Sequence, residues 1–321
     1  MRKYRPLAMF VFVGITAVLA SPQQPVLSDI QPSVPGDMDA ALKASHELLD
    51  AGRFRDAEIE LGVYLRKNDL SAEGHEMLAY ALLRENKPKE SLSEYTRAAS
   101  LHTPSSRMLE NVGQDYVLLD DNNDADKWTL RAVRMDPTNA DAWYSLGRIR
   151  YTEQRFGDAL SCFQKVLELS PKSVKAENNL GLAYEAQNQT DAAVTAYRQA
   201  IAWQDAGPAK DISEQPLLNL ATVLVHRDML SEALPLLTKA AKIAPQDVNI
   251  HEQLGHLYLQ QSNFAAAQQE FQRACELDPG ESRFHFLLGQ VYRHLGRREL
   301  ADAQFAIAGQ LARESATPKS R

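Results

Sequence analysis

Amide side chains are the residues of this chain whose type and spacing suggest chemistry. Asn111, Asn179, Asn219 and Gln253 recur along it, with Ser145 between the first two. The steps from Asn111 to Ser145, Ser145 to Asn179 and Asn219 to Gln253 are each 34 residues. A carboxamide carries a donor and an acceptor side by side. A column of them could pair with both the N–H and the C=O of an extended peptide, reading backbone shape rather than side chains. Other reactive types offer less. His251 and His256 are five apart and do not share a helix face, and the paired carboxylates Asp120 and Asp121 fall where solvation and capping are the expectation. The chain has no P-loop, no G-x-G-x-x-G after a strand, no G-x-S-x-G and no H-E-x-x-H. Binding chemistry is therefore expected, with no catalytic residue, no cofactor and no metal site.

The elements that must position these residues repeat. WYSLGRIR from Trp143, HEQLGHLY from His251 and HFLLGQVY from His285 share a Leu-Gly pair with the stretch around Leu180 and Gly181. Downstream, an alanine and an aromatic recur four apart, as Ala159 and Phe163, Ala193 and Tyr197, Ala267 and Phe271, Ala301 and Phe305. Pro137, Pro171, Pro245 and Pro279 close their units. Leucine, glycine and tyrosine at spacings of three and four share one helical face. Small residues such as Gly181 and Ala193 let two helices approach, and Tyr184 and Tyr197 fill the volume beside them. Proline cannot continue a helix and turns the chain into the next unit.

Thirty-four residues with W-x2-L-G-x2-Y, then A-x3-F, then P, resemble the tetratricopeptide repeat. The resemblance covers nearly all of 38–315 and implies an all-α fold, an α-solenoid in which antiparallel helix pairs stack into a right-handed superhelix. Eight repeats are expected, at 38–71, 72–105, 106–139, 140–173, 174–207, 214–247, 248–281 and 282–315, with an insertion at 208–213. The first is degenerate, and the sixth has Ala221 in place of glycine. His75, His251 and His285 occupy repeat position 4, the family's tryptophan position, so packing is their expected role. Pro235 is expected near the first turn of a second helix, where its missing N–H costs little.

By resemblance, the first helix of each repeat lines the concave face, and positions 2, 5, 6, 9, 12 and 13 project into it. Position 6 then holds the column Asn111, Ser145, Asn179, Asn219 and Gln253, with Asn178 beside it at position 5. Arg107, Arg148 and Lys175 add positive charge, and Tyr144 and Tyr151 add flat amphipathic area of the kind enriched at binding hot spots. These eleven residues are the candidate partner-binding groove. Two other readings stand beside it: amides that serve local hydrogen bonds, and charges that form a solvated face. A carboxylate clamp built from Arg148, Lys175, Asn178 and Asn179 has suitable residue types but lacks the usual order over three consecutive repeats.

The N-terminus has another character. MRKYRP is basic, Leu7–Ala20 is apolar, and small residues precede SPQQP. This is the layout of a secretory signal peptide over residues 1–20, and the apolar run is short for a membrane span. Cleavage after Ala20 is expected, which implies a periplasmic or secreted protein; an uncleaved segment would instead be a membrane anchor facing outside the cytoplasm. Loss of Arg2, Lys3 and Arg5 would take the net charge from −7 to −10. That balance argues against a nucleic-acid partner, which needs a basic face. Residues 21–36 read as a flexible Pro/Ser/Gln-rich linker and 316–321 as a disordered tail. Cys162 and Cys275 fall about three repeats apart, too far to bridge. Solenoids usually end in a polar cap; here Phe305, Ile307 and Leu311 are expected to keep an unshielded side, available for self-association. The sequence thus describes an exported, non-enzymatic scaffold for protein or peptide partners. Its alternatives are an oligomerising structural component and an accessory subunit that recruits substrate to a separate enzyme.

Overall fold

The computed structural model describes residues 35–207 and 212–316. The signal peptide, most of the linker, the first part of the insertion and nearly all of the tail lie outside the described residues. Among those described there are sixteen helices and no strand. They are α1 (Pro35–Asp50), α2 (Phe54–Leu65), α3 (Ala72–Arg84), α4 (Pro88–Leu101), α5 (Ser106–Leu118), α6 (Asn122–Met135), α7 (Ala140–Thr152) and α8 (Phe156–Leu169). They continue as α9 (Val174–Ala186), α10 (Thr190–Ala206), α11 (Gln215–His226), α12 (Leu230–Ile243), α13 (Val248–Gln260), α14 (Phe264–Leu277), α15 (Ser282–His294) and α16 (Arg298–Ala316). Odd and even helices pair, and the pairs stack as an α-solenoid. None of the described helices is long and apolar enough to cross a membrane.

One turn joins the two helices of every pair. Its αL residue is Gly52, Asn86, Asp120, Gln154, Asn188, Asp228, Ser262 or Gly296, each with φ between 58° and 73°. The following N–H reaches five residues back, as Lys87 to the Leu82 carbonyl (2.9 Å) and Gln189 to the Tyr184 carbonyl (2.9 Å). This is the Schellman closure, which satisfies carbonyls the helix end leaves open. Side chains cap several first helices: Ser71 accepts from the Gly74 N–H, Ser105 from Met108 and Asn139 from Ala142. Each such cap contributes about 1 kcal/mol.

The pair is held by a small residue facing a ring. A Cβ placed on Gly181 would lie 2.5 Å from the Tyr197 ring, and one on Gly147 would lie 2.6 Å from Phe163. Phe163, Tyr197 and Phe271 are fully buried, as are Ala159, Ala193 and Ala267 of the same helices. The position-4 rings close the joint between repeats. Trp143 Nε1 donates to the Pro137 carbonyl at 2.9 Å. Nε2 of His75, His251 and His285 faces the carbonyls of Asp69, Pro245 and Pro279, six residues back in each case. Histidine therefore does in three repeats what tryptophan does in the fourth.

Three local features refine the sequence reading. α1 begins at Pro35, so the last two residues assigned to the linker are helical; proline at a helix start loses no intrahelical bond. Pro235 is the sixth residue of α12, one turn deeper than expected, yet the helix continues to Ile243. The end of the insertion is pinned: buried Gln204 donates to the Ser213 carbonyl (2.9 Å) and accepts from its N–H (2.8 Å). Cys162 and Cys275 are free thiols, both pushed up to about 11 by burial.

Candidate functional site

The first helices α3, α5, α7 and α9 touch in succession. They enclose a concavity of about 800 Å³. Tyr80 and Arg84 of α3 line it, with Arg107, Glu110, Asn111 and Gln114 of α5, Tyr144, Ser145 and Arg148 of α7, and Lys175 of α9. Val117 and Leu118, 40% and 45% exposed, add apolar surface at the end of α5. Six of the residues singled out from the sequence thus meet here: Arg107, Asn111, Tyr144, Ser145, Arg148 and Lys175. Tyr151, Asn178, Asn179, Asn219 and Gln253 lie outside this concavity.

Three of the five column residues are engaged within the protein. Ser145 Oγ donates to Glu110 Oε1 at 2.9 Å. Asn179 Nδ2 donates to the Tyr144 hydroxyl at 3.1 Å and to the Lys175 carbonyl at 2.7 Å. Asn219 Nδ2 donates to Asn178 Oδ1 at 2.9 Å. In each case a position-6 side chain reaches the position-5 side chain of the preceding repeat. The position-5 residue before Gln253 is buried Leu218, which has no polar atom to offer. Asn111 and Asn178 are themselves buried. Ser145, Asn179 and Asn219 therefore knit neighbouring repeats.

The cations are held differently. The guanidinium carbons of Arg84 and Arg107 lie 5.8 and 5.7 Å from the centre of the Tyr80 ring. Arg84 also lies 4.6 Å from the Phe54 ring and donates to the Tyr80 hydroxyl at 2.9 Å. Lys175 sits 4.6 Å from the Tyr144 ring and 3.0 Å from Asp141 Oδ1. Arg148 is exposed, and its side chain makes no ion pair among the described residues. Aromatic faces orient such cations without neutralising them. Tyr151 packs edge-on against Phe156, 5.3 Å between ring centres, and burial pushes its hydroxyl above the ordinary range.

Beneath the concavity lies a polar layer. Glu110 is buried, and its carboxyl is raised by that burial despite hydrogen bonds from Ser145 and Gln114. Asp115, fully buried, accepts from Ser91 Oγ at 2.6 Å, while its other oxygen has no partner. Burial pushes its carboxyl up to about 7. Ser91 takes the place of the recurring alanine and Thr129 the place of the recurring aromatic, so two buried positions that are apolar in the neighbouring repeats are polar here. Among the described residues, no three His, Cys, Asp or Glu side chains are placed to hold a metal ion.

Tyr80, Arg84, Glu110, Gln114, Val117 and Leu118 were absent from the sequence-based candidates. The repeat register carries their signal, since all occupy positions 5, 9, 12 or 13 of repeats two and three. At the C-terminal end, Phe305 is half-buried with its ring against Gly289 and 5.6 Å from that of Phe286. Ile307 is 39% exposed and Phe286 48%, while Leu311 is half-buried.

Comparison with known proteins agrees with this architecture. Models of the tetratricopeptide repeat match residues 42–105, 138–204 and 224–291. Tetratricopeptide repeat protein 37 of Xenopus laevis is 28% identical over 264 residues, 79% of this chain and 15% of that protein. Superkiller protein 3 of Schizosaccharomyces pombe is 24% identical over 177 residues, 54% of this chain and 12% of its own length. A Caenorhabditis elegans protein O-mannosyl-transferase is 32% identical over 85 residues, 26% of this chain and 12% of its own. The chain thus spans only a small part of these relatives. A solved tetratricopeptide repeat protein from Parabacteroides merdae superposes with a TM-score of 0.60 at 21% identity, covering 80% of this chain and 99% of that one. The Cut9–Hcn1 structure gives a TM-score of 0.60 at 16% identity, covering 87% and 56%. With its repeated helix pairs, ring-on-glycine joints and matching repeat models, the chain belongs to the tetratricopeptide repeat family, whose repeats serve protein–protein interaction.

Proposed function

We propose that this chain is a non-enzymatic scaffold that holds an extended segment of a partner protein in the concavity of α3, α5, α7 and α9. One observation carries the reading: exposed apolar and cationic groups and half-buried tyrosines from successive inner helices share a single hollow of about 800 Å³. Tyrosine and arginine dominate binding hot spots, and exposed apolar patches mark interaction surfaces. The basic, apolar and small-residue order of residues 1–20 favours action in a cell envelope or as a secreted protein. Site-specific crosslinking tests the groove. A photoreactive group at Gln114 should capture a partner from the native compartment, and the same group at Thr195 on α10 should not. Equal capture from both positions would exclude the groove.

A second reading is favoured by the C-terminal repeat, where Phe286, Leu300 and Ile307 are exposed. There the chain self-associates through its last helix pair. Sedimentation distinguishes this reading: Ile307→Asp should shift a dimer to a monomer, and a monomeric parent protein would remove it.

A further inference from the structure

The concavity gathers positive charge in a protein of net charge −7. Arg84, Arg107, Arg148 and Lys175 line it. Of the acidic residues there, Asp141 is tied to Lys175, Glu110 is buried with Oε1 already accepting from Ser145 and Gln114, and exposed Asp120 stands at the turn after α5, which leaves the four cations in excess. Arg84 and Arg107 converge on one ring, that of Tyr80, and neither forms an ion pair among the described residues. Each lies within about 6 Å of the ring centre with no carboxylate neutralising it, so each is open to an anionic group of a ligand. Guanidinium groups hold a carboxylate through paired, charge-assisted hydrogen bonds. The Tyr80 ring attracts both arginines, which lowers the rotamer entropy they lose on binding. Arg148 offers the next unpaired guanidinium, one inner helix further on.

We infer that the partner segment is an acidic, extended peptide, with one carboxylate held on Arg107 beside Tyr80 and another on Arg148. Spacing follows from the packing. Neighbouring helices such as α5 and α7 lie about 8–10 Å apart, and an extended chain rises about 3.3 Å per residue. Acidic residues about three apart therefore meet arginines on successive inner helices. Tyr144 of α7 and the exposed Val117 and Leu118 receive the uncharged side chains between them. This inference rests on the groove reading above and adds the chemistry of the partner.

Fluorescence anisotropy of labelled synthetic peptides with the purified protein tests it. One peptide carries Glu at every third position, with Val and Thr between; two others carry Gln or Lys at the same places. The Glu peptide should bind at least tenfold more tightly than the Gln peptide, and that advantage should fall as salt rises. Arg107→Glu with Arg148→Glu should reverse the order, so that the Lys peptide binds best, a gain that misfolding cannot produce. Equal affinity for the Glu and Gln peptides, or an unchanged order in the charge-reversed protein, would overturn the inference. If the Gln peptide crosslinks from Gln114 as well as the Glu peptide does, the groove reading survives and its acidic preference falls; if no peptide crosslinks there, both fall.

Discussion

Asn219 Nδ2 donates to Asn178 Oδ1 at 2.9 Å, joining α11 to α9 across 41 positions of sequence. The bond spans the insertion between repeats five and six, and Asn178 is buried. Losing one partner of a buried hydrogen bond costs about 1–3 kcal/mol. Asn178→Ala should therefore lower stability by about that amount, and Asn178→Ala with Asn219→Ala should cost less than the sum of the two. Urea unfolding read as a double-mutant cycle measures the coupling. Strict additivity would mean that the bond adds nothing to the joint.

Glycines in this chain should respond with opposite signs. Gly181→Ala drives a Cβ into the Tyr197 ring and should destabilise by about 1–3 kcal/mol. At Gly309, inside α16, a Cβ would meet nothing within 4 Å. Gly309→Ala should stabilise by about 0.5–1 kcal/mol, the ordinary helix-propensity gain. Thermal unfolding of the two variants side by side checks both signs.

Asp115 makes stability depend on pH. Its folded carboxyl is raised to about 7, above its ordinary value of 3.8. The folded state therefore binds the proton more tightly than the unfolded state. Its contribution is complete below about 4 and is lost as pH rises through about 7. Asp115→Asn keeps an acceptor for Ser91 but removes the ionisation. It should flatten the fall in melting temperature between pH 5 and 8 and stabilise the protein at pH 8 by about 1–3 kcal/mol. An unchanged pH profile would show that Asp115 is not the group responsible.

His251 should act in the same direction. Its Nδ1 lies 2.7 Å from Glu270 Oε2 and its Nε2 lies 3.1 Å from the Pro245 carbonyl, so two acceptors face the ring. The hydrogen bond to Glu270 is the main reason its pKa is raised. The imidazolium contribution is complete below the ordinary value of 6.5 and is lost as pH rises through the higher folded value. Glu270→Gln should lower the His251 titration midpoint measured by NMR and weaken the protein more at pH 6 than at pH 8. Combining Glu270→Gln with Asp115→Asn should flatten the pH profile further than either change alone.

The fold was legible because its determinants are local and repeated. Leu146, Gly147, Ala159 and Phe163 state one helix pair, and Leu180, Gly181, Ala193 and Tyr197 state the next. Each small residue is a few turns from the ring it faces, so periodicity reveals the contact. The position-4 histidines were also legible, because they stand where the repeat pattern puts a ring.

By itself, the sequence determined the helix pairs and the repeat register, and it carries no recognisable catalytic motif. Only the tertiary structure decided which groove residues are spent on the protein and which are open. Asn179 is taken up by Tyr144, Asn219 by Asn178 and Ser145 by Glu110, while Arg148 keeps its charge unpaired and Arg84 and Arg107 both lie beside the Tyr80 ring. The physical reason is that helical period sets the direction of a side chain, whereas satisfaction of a polar group needs a second group on another helix. That partner comes from the next repeat, and where the neighbour offers a leucine, an arginine or an aromatic face in place of an acceptor, the same position in the register has a different fate.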